Sequence, residues 1–187
     1  MGRTGSSARC WRGRRNAHLS EIRRARTGDA LPIARVHVAA WRSAYAGILP
    51  AHALTGLSVS RQAAQYEADI GAGRGVFVVV NAGLVVGFAT AGPPRRKGIA
   101  EGEIDTLYVL DDWREQGLGR LLLRKTAVHL AAAGARSVFL WVLRDNPSRW
   151  FYERLGGRAA LTSMTGVGGV EVAQVAYVWD PVDTLVA

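Results

Sequence analysis

Between Glu103 and Arg124 the chain reads EIDTLYVLDDWREQGLGRLLLR. A β-branched and apolar run comes first, then a turn carrying Asp111 and Asp112, then Arg114-x-x-Gly117-x-Gly119 opening a long helical repeat. A glycine-containing turn that feeds a helix gathers backbone N–H groups without partners at the positive end of the helix dipole. Such a turn suits a phosphate-bearing ligand. A dinucleotide fingerprint would need a third glycine where Leu122 stands, and a phosphate-binding P-loop would need Gly-Lys-Ser/Thr. Neither is present, so both nucleotide folds are disfavoured.

The segments on either side constrain the fold further. Gly119, Leu122, Leu123, Thr126, Ala127 and Leu130 make one apolar stripe of a helix predicted from Leu118 to Ala133, which Gly134 stops. Ser137 to Leu143 reads as a short apolar strand, and the strand–turn–helix–strand order predicts parallel pairing with the strand before Asp111. Asn146-Pro147 offers a cap and a first-turn proline for the next helix, which carries Ser148, Phe151, Tyr152 and Leu155 and closes at Gly156-Gly157.

Upstream, Ser20 to Arg26 alternates like a partly exposed first strand, and Asp29 can cap a helix running to about Tyr45. Ile33, Val36, His37, Ala40, Trp41 and Ala44 mark its buried side, which predicts His37 and Trp41 facing the core. A loop with His52, read as a mobile lid, leads to a second helix from Ser58 with Val59, Ala63, Tyr66 and Ile70 inward. Two hairpins are predicted, one turning at Asn81-Ala82-Gly83 and one at Gly166 to Gly169. The loop from Gly92 to Gly98, with Arg95, Arg96 and Lys97, reads as an ordinary solvated turn.

Charge distribution limits the partners. Of the formal +9, five charges are arginines among Met1 to Leu19, a stretch without acidic residues or apolar periodicity, which leaves +4 for the remaining chain. That stretch is expected to be a disordered basic tail ahead of one domain spanning 20–187, and nucleic-acid binding is disfavoured. Hydrophobic residues at 49% and charged residues at 21% fit one globular core. The apolar stretch from Val76 to Gly92 is too interrupted to span a membrane. The single cysteine, Cys10, and the lack of a secretory pattern lead to a cytoplasmic expectation.

Arg114-x-x-Gly117-x-Gly119 resembles the Q/R-x-x-G-x-G/A signature of the GCN5-related N-acetyltransferases (GNAT), set after Leu107-Tyr108-Val109 and followed by Asn146 and Tyr152 on the next helix. The resemblance covers about Ile22 to Trp179 in element order. It implies an α/β (α+β) domain with a mixed, mostly antiparallel sheet, V-split between its fourth and fifth strands, and with acetyl-CoA as co-substrate in the split. Backbone groups of Arg114, Glu115, Gln116, Gly117, Leu118, Gly119 and Arg120 would hold the pyrophosphate, with Arg114, Arg120 or Arg124 meeting the phosphates from outside. Leu107, Tyr108 and Val109 would pair with the pantetheine arm, and Asn146 and Ser148 would reach it from the other wall. Acceptor contacts would come from the first helices, the 92–101 loop and the last hairpin.

The chemistry so implied is direct attack of a primary amine on the thioester in a ternary complex. An alkylammonium with pKa about 10.4 must lose a proton, and a departing thiolate must gain one. By spacing from Arg114, Glu103 resembles the family's glutamate base, with Asp105 in reserve on the same strand face, and Tyr152 resembles its general acid. No Gly-x-Ser-x-Gly is present and Cys10 lies in the tail, so a covalent acyl-enzyme is disfavoured. The histidines at 18, 37, 52 and 129 lack metal-ligand spacing, and no metal is expected. The acceptor, a small-molecule or peptide amine, the acyl length and a homodimer all stay open. A non-catalytic acyl-CoA-binding regulatory module is the rival reading.

Overall fold

Strands β2 (Gly75–Asn81) and β3 (Leu84–Gly92) form the predicted hairpin, turning through Ala82 and Gly83 at φ 47° and 81°. Two consecutive positive φ values are what a tight hairpin with the native strand twist requires. Together with β1 (Glu21–Arg24), β4 (Gly102–Val109), β5 (Val138–Leu143), β6 (Arg158–Val167) and β7 (Val170–Trp179), they make one sheet in the order β1-β2-β3-β4-β5-β7-β6. Every neighbouring pair is antiparallel except β4 and β5. This computed structural model describes residues 20–186; the expected basic tail at 1–19 lies outside the described residues.

Alternation along β2 distributes side chains to two helical layers. Val76 and Val78, with Phe88 of β3, pack under α1 (Ala30–Ala44) and α3 (Val59–Gly71). Phe77, Val79, Val86 and Ala89 pack on the other face under α4 (Leu118–Ala132). The α4 stripe lies as its periodicity predicts, with Leu122, Leu123, Thr126, Ala127 and Leu130 buried. It continues into a third cluster with Ile104, Val138, Tyr177 and Trp179. Fully buried side chains such as Phe88, Phe139 and Leu122 each contribute roughly 1.5–3 kcal/mol of transfer free energy.

Several local expectations change. Asp29 caps no helical N–H; its carboxylate takes the Arg26 N–H at 2.7 Å and the Arg23 guanidinium at 2.6 and 2.9 Å. The loop carrying His52 contains a helical turn, α2 (Ala51–Thr55), and is tethered: His52 Nε2 lies 2.6 Å from the Gly168 carbonyl in the β6–β7 turn. The helix expected from Asn146-Pro147 is α5 (Arg149–Arg154), preceded by a tighter first turn: Asn146 Oδ1 accepts the Ser148 N–H at 2.9 Å as a capping residue does, and the Arg149 and Trp150 N–H groups meet the Asn146 and Pro147 carbonyls three residues back. A last short helix, α6 (Asp183–Val186), buries Leu185.

Candidate active site

The parallel ladder between β4 and β5 is short. It pairs Gly102 with Val138 and Glu103 with Phe139, and no pairing follows. From Ile104 to Val109 the β4 edge that would face β5 is therefore open, and the two halves of the sheet diverge. β4 pairs with β3 on its other side throughout. A cleft of about 440 Å³ occupies the split, lined by Leu107, Tyr108, Val109, Arg114, Glu115, Gly117, Gly119, Arg120, Asn146, Ser148 and Tyr152 of the expected residues. Asp105 lines it; Glu103 and Arg124 do not.

Further residues complete the walls. Tyr45, Thr106, Trp113, Trp141, Val142, Pro147 and Phe151 all face the cleft. A second hollow, near Gly92, Glu101 and residues 133–136, lies at the far end of α4. Among the described residues no group of three or more His, Cys, Asp or Glu could hold a metal ion. No helix among them is long and apolar enough to cross a membrane.

At the start of α4, the first intrahelical bond runs from the Leu121 N–H to the Gly117 carbonyl at 3.1 Å. The N–H groups just before Leu121 consequently have no helical carbonyl to meet. Glu115 and Gly117 both sit in the left-handed region, at φ 59° and 78°. This bends the chain into a concave turn of the kind that collects backbone N–H groups around an anion. A Cβ on Gly117 would enter open space, so its need is conformational. A Cβ on Gly119 would touch Phe151 at 3.4 Å, an ordinary contact, so packing against α5 does not by itself require glycine there. Arg114 holds the turn from outside, with its guanidinium 2.8 Å from Asp111 and Nε 3.4 Å from the Val109 carbonyl. Gln116 donates to the Asp112 carbonyl, and Leu118 buries its side chain, leaving only its backbone for a ligand.

Across the split, Asn146 is buried, with Oδ1 committed to the Ser148 N–H, so its amide nitrogen is the group available to a ligand. Tyr152 is buried beside Phe151, Tyr177 and Trp179, and burial pushes its phenol well above the usual tyrosine range. It therefore holds its proton at neutral pH.

A bulge in β4 decides which carboxylates meet. Thr106 pairs with Thr90, but Ile104 pairs with Ala91, so Asp105 is an extra residue against β3. Asp105 and Thr106 then share the α1/α3 face with Tyr108, while Ile104 and Leu107 turn to the α4 side. On the α1/α3 face, Thr106 and Thr90 hydroxyls lie 2.7 Å apart, and Tyr66 hydroxyl lies 2.8 Å from His37 Nδ1. His37 stacks on Tyr108 at 5.1 Å, and burial lowers its pKa to about 4. Trp41 packs on Tyr45 at 4.5 Å, and its buried Nε1 has no hydrogen-bond partner among the described residues.

Glu103 is buried and accepts the Arg95 backbone N–H at 2.6 Å. Asp105 is bracketed by guanidinium nitrogens of Arg74 and Arg95, each at 2.9 Å. Burial raises both carboxyls above their ordinary values, opposed for Glu103 by the Arg95 N–H and for Asp105 by the two arginines. The loop read as a solvated turn is thus tied to both.

The profile of the Acetyltransferase (GNAT) family matches residues 39–157. The chain is 33% identical over 166 residues to an uncharacterized N-acetyltransferase, YuaI, of Bacillus subtilis (strain 168), covering 88% of this chain and 95% of the relative. Among solved structures, a GCN5-related N-acetyltransferase from Rhodopseudomonas palustris superimposes with a TM-score of 0.68 at 23% identity, over 86% of this chain and 95% of that one. The PaiA N-acetyltransferase of Thermoplasma acidophilum, solved with coenzyme A, superimposes at 0.67 with 18% identity over 83% and 97%. The yncA protein of Salmonella typhimurium, solved with its cofactor acetyl-CoA, superimposes at 0.65 with 20% identity over 86% and 93%. Split sheet, glycine turn, profile and relative agree: the chain belongs to the GNAT family and is an N-acetyltransferase.

Proposed function

We propose that the chain transfers an acetyl group from acetyl-CoA to a primary amine by direct attack in a ternary complex. The observation that carries this reading is the end of the β4–β5 ladder after Glu103 and Phe139, which opens one cleft between the glycine turn and Tyr152. Acetyl-CoA, when bound, would supply an activated acyl carbon and a thiolate leaving group. The backbone N–H groups around Glu115 to Arg120 suit its pyrophosphate, since both left-handed residues aim them at one concave surface. The free β4 edge beside Leu107, Tyr108 and Val109 offers strand-like pairing to an extended pantetheine arm. Asn146 and Ser148 face that edge across the cleft.

Tyr152 acts as the general acid. Its hydroxyl proton passes to the sulfur as the carbon–sulfur bond breaks, and the raised phenol pKa keeps that proton in place until then. The amine proton leaves toward a β4 carboxylate, directly or through one water. Asp105, in the cleft wall, is the better placed of the two, and Glu103 holds the 92–98 loop through the Arg95 N–H. The products are an amide and free CoA thiol.

The test is a thiol-release assay with acetyl-CoA and longer acyl-CoAs across primary amines, amino acids, polyamines and peptides. Acceptor-dependent thiol release supports transfer. Tight acetyl-CoA binding without release from any acceptor would favour the non-catalytic acyl-CoA-binding module.

A further inference from the structure

Asp105, in the cleft wall, belongs to an ion pair whose two members differ sharply in exposure. Asp105's side chain is 3% exposed and Arg95's is 71% exposed, with Arg95 Nη2 2.9 Å from Asp105 Oδ1. The other carboxylate oxygen is held from behind by Arg74 Nη2 at 2.9 Å, and Arg74 is itself 3.7 Å from Asp69. Arg95 is positioned at two points, since its backbone N–H also donates to Glu103 Oε2 at 2.6 Å. Arg95 Nη2 sits at ion-pair distance from Asp105 Oδ1 without completing a hydrogen bond to it, so the exposed guanidinium keeps its donors for a further acceptor. Arg96 and Lys97 stand exposed next to it.

An amine that is to pair with Asp105 Oδ1 competes with Arg95, the exposed member of the pair, for that oxygen. A simple alkylammonium doing so would leave a guanidinium without its partner next to a second cation, an arrangement that like-charge repulsion disfavours. An amine that brings its own anion conserves the number of ion pairs: the ammonium meets Asp105, and the anion meets the guanidinium Asp105 has given up. The planar fork of arginine matches a carboxylate with two parallel hydrogen bonds.

Resting on the transfer reaction proposed above, we infer that the acceptor is a zwitterion of the free α-amino acid class, with Arg95 passing from Asp105 to its carboxylate as it seats. Tyr45 and Trp141, in the same cleft, offer aromatic surface to an apolar side chain. A peptide N-terminus, whose α-carboxylate is tied up in an amide, lacks the group that Arg95 requires.

The experiment uses the full chain and three matched sets: L-phenylalanine, L-methionine and L-tryptophan, each beside its amide and its decarboxylated amine. With acetyl-CoA, kcat/KM for at least one free amino acid should exceed that of its amide and amine by roughly 10- to 100-fold, the range for a charge-assisted contact. Arg95→Gln should collapse that ratio toward one without changing the KM for acetyl-CoA, and Arg95→Lys should restore part of it. Equal use of amino acid and amide in every set, or an equal loss on all three ligands in Arg95→Gln, overturns the inference. Calorimetry of the same ligands on CoA-saturated protein supplies an arm that needs no turnover. Preferential binding of an amino acid without thiol release would sustain the Arg95 exchange and count against transfer, whereas equal affinities would overturn the exchange alone.

Discussion

Tyr152 lies where packing and the proposed chemistry would share one side chain, its ring beside Phe151, Tyr177 and Trp179 and in the cleft wall. Tyr152→Phe keeps the ring and removes the proton, so kcat for thiol release should fall about 100-fold, within the usual range for a general acid. Acetyl-CoA affinity measured by calorimetry should stay put, and unchanged turnover would make Tyr152 a packing residue. His37 makes a separate statement about stability. Buried against Tyr108 and hydrogen-bonded to Tyr66, it has a pKa lowered to about 4, while an unfolded chain carries histidine near 6.5. Between those values the unfolded state binds the extra proton, so stability falls as pH drops from about 6.5 to 4, by about 3 kcal/mol in full. His37→Gln should flatten the dependence of Tm on pH in that window, and an unaltered slope there would mean other groups titrate it.

The strand–turn–helix element from β4 to α4 carries both ends of the proposed reaction. At the turn, Gly117 at φ 78° accepts a side chain only with backbone strain, and any Cβ there projects into the open space proposed for the pyrophosphate. Gly117→Glu should abolish acetyl-CoA binding in calorimetry, through occlusion and through charge. Gly117→Asn, tolerant of the left-handed region, should keep the fold's Tm within a few degrees while weakening binding; undiminished affinity in both variants would move the pyrophosphate elsewhere. In the strand, the Asp105 bulge was not readable from two-residue alternation. Alternation alone puts Glu103, Asp105, Leu107 and Val109 on one face, whereas the extra residue sends Leu107 to the α4 side. The later boundary of α5 is of another kind, since Asn146 does cap through the Ser148 N–H and only the tightness of the first turn moves the regular helix to Arg149. The His52 loop, read as a lid, is fixed by a contact 116 positions away in sequence, beyond the reach of local pattern.

At the scale of the molecule, the cleft separates β1–β4, with α1 and α3, from β5–β7, with α5. The halves join through two residue pairs of β4–β5 ladder, through α4, and through the α2 region, where Tyr45, Leu49 and Ala53 pack with Leu143 and His52 meets the Gly168 carbonyl. A ligand seated between them should raise Tm and slow amide exchange at residues 105–109 of β4 and in α5 together. Saturation at 100 times Kd corresponds to about 2.7 kcal/mol. Differential scanning fluorimetry and hydrogen exchange with acetyl-CoA check this, and protection confined to one half would contradict a ligand bridging the split. The amphipathic stripes of α1, α3 and α4, both hairpins and the glycine turn are local consequences of residue spacing and of glycine's access to positive φ, so the sequence by itself determined the strands, the long helices and their order, while the short α2 and α6 carried no pattern long enough to read. Which wall each side chain joins was decided only in tertiary structure. The β4 bulge, the early end of the β4–β5 ladder and the Arg74–Asp105–Arg95 bracket all depend on contacts between segments far apart in the chain, and pattern within one segment carries no information about those.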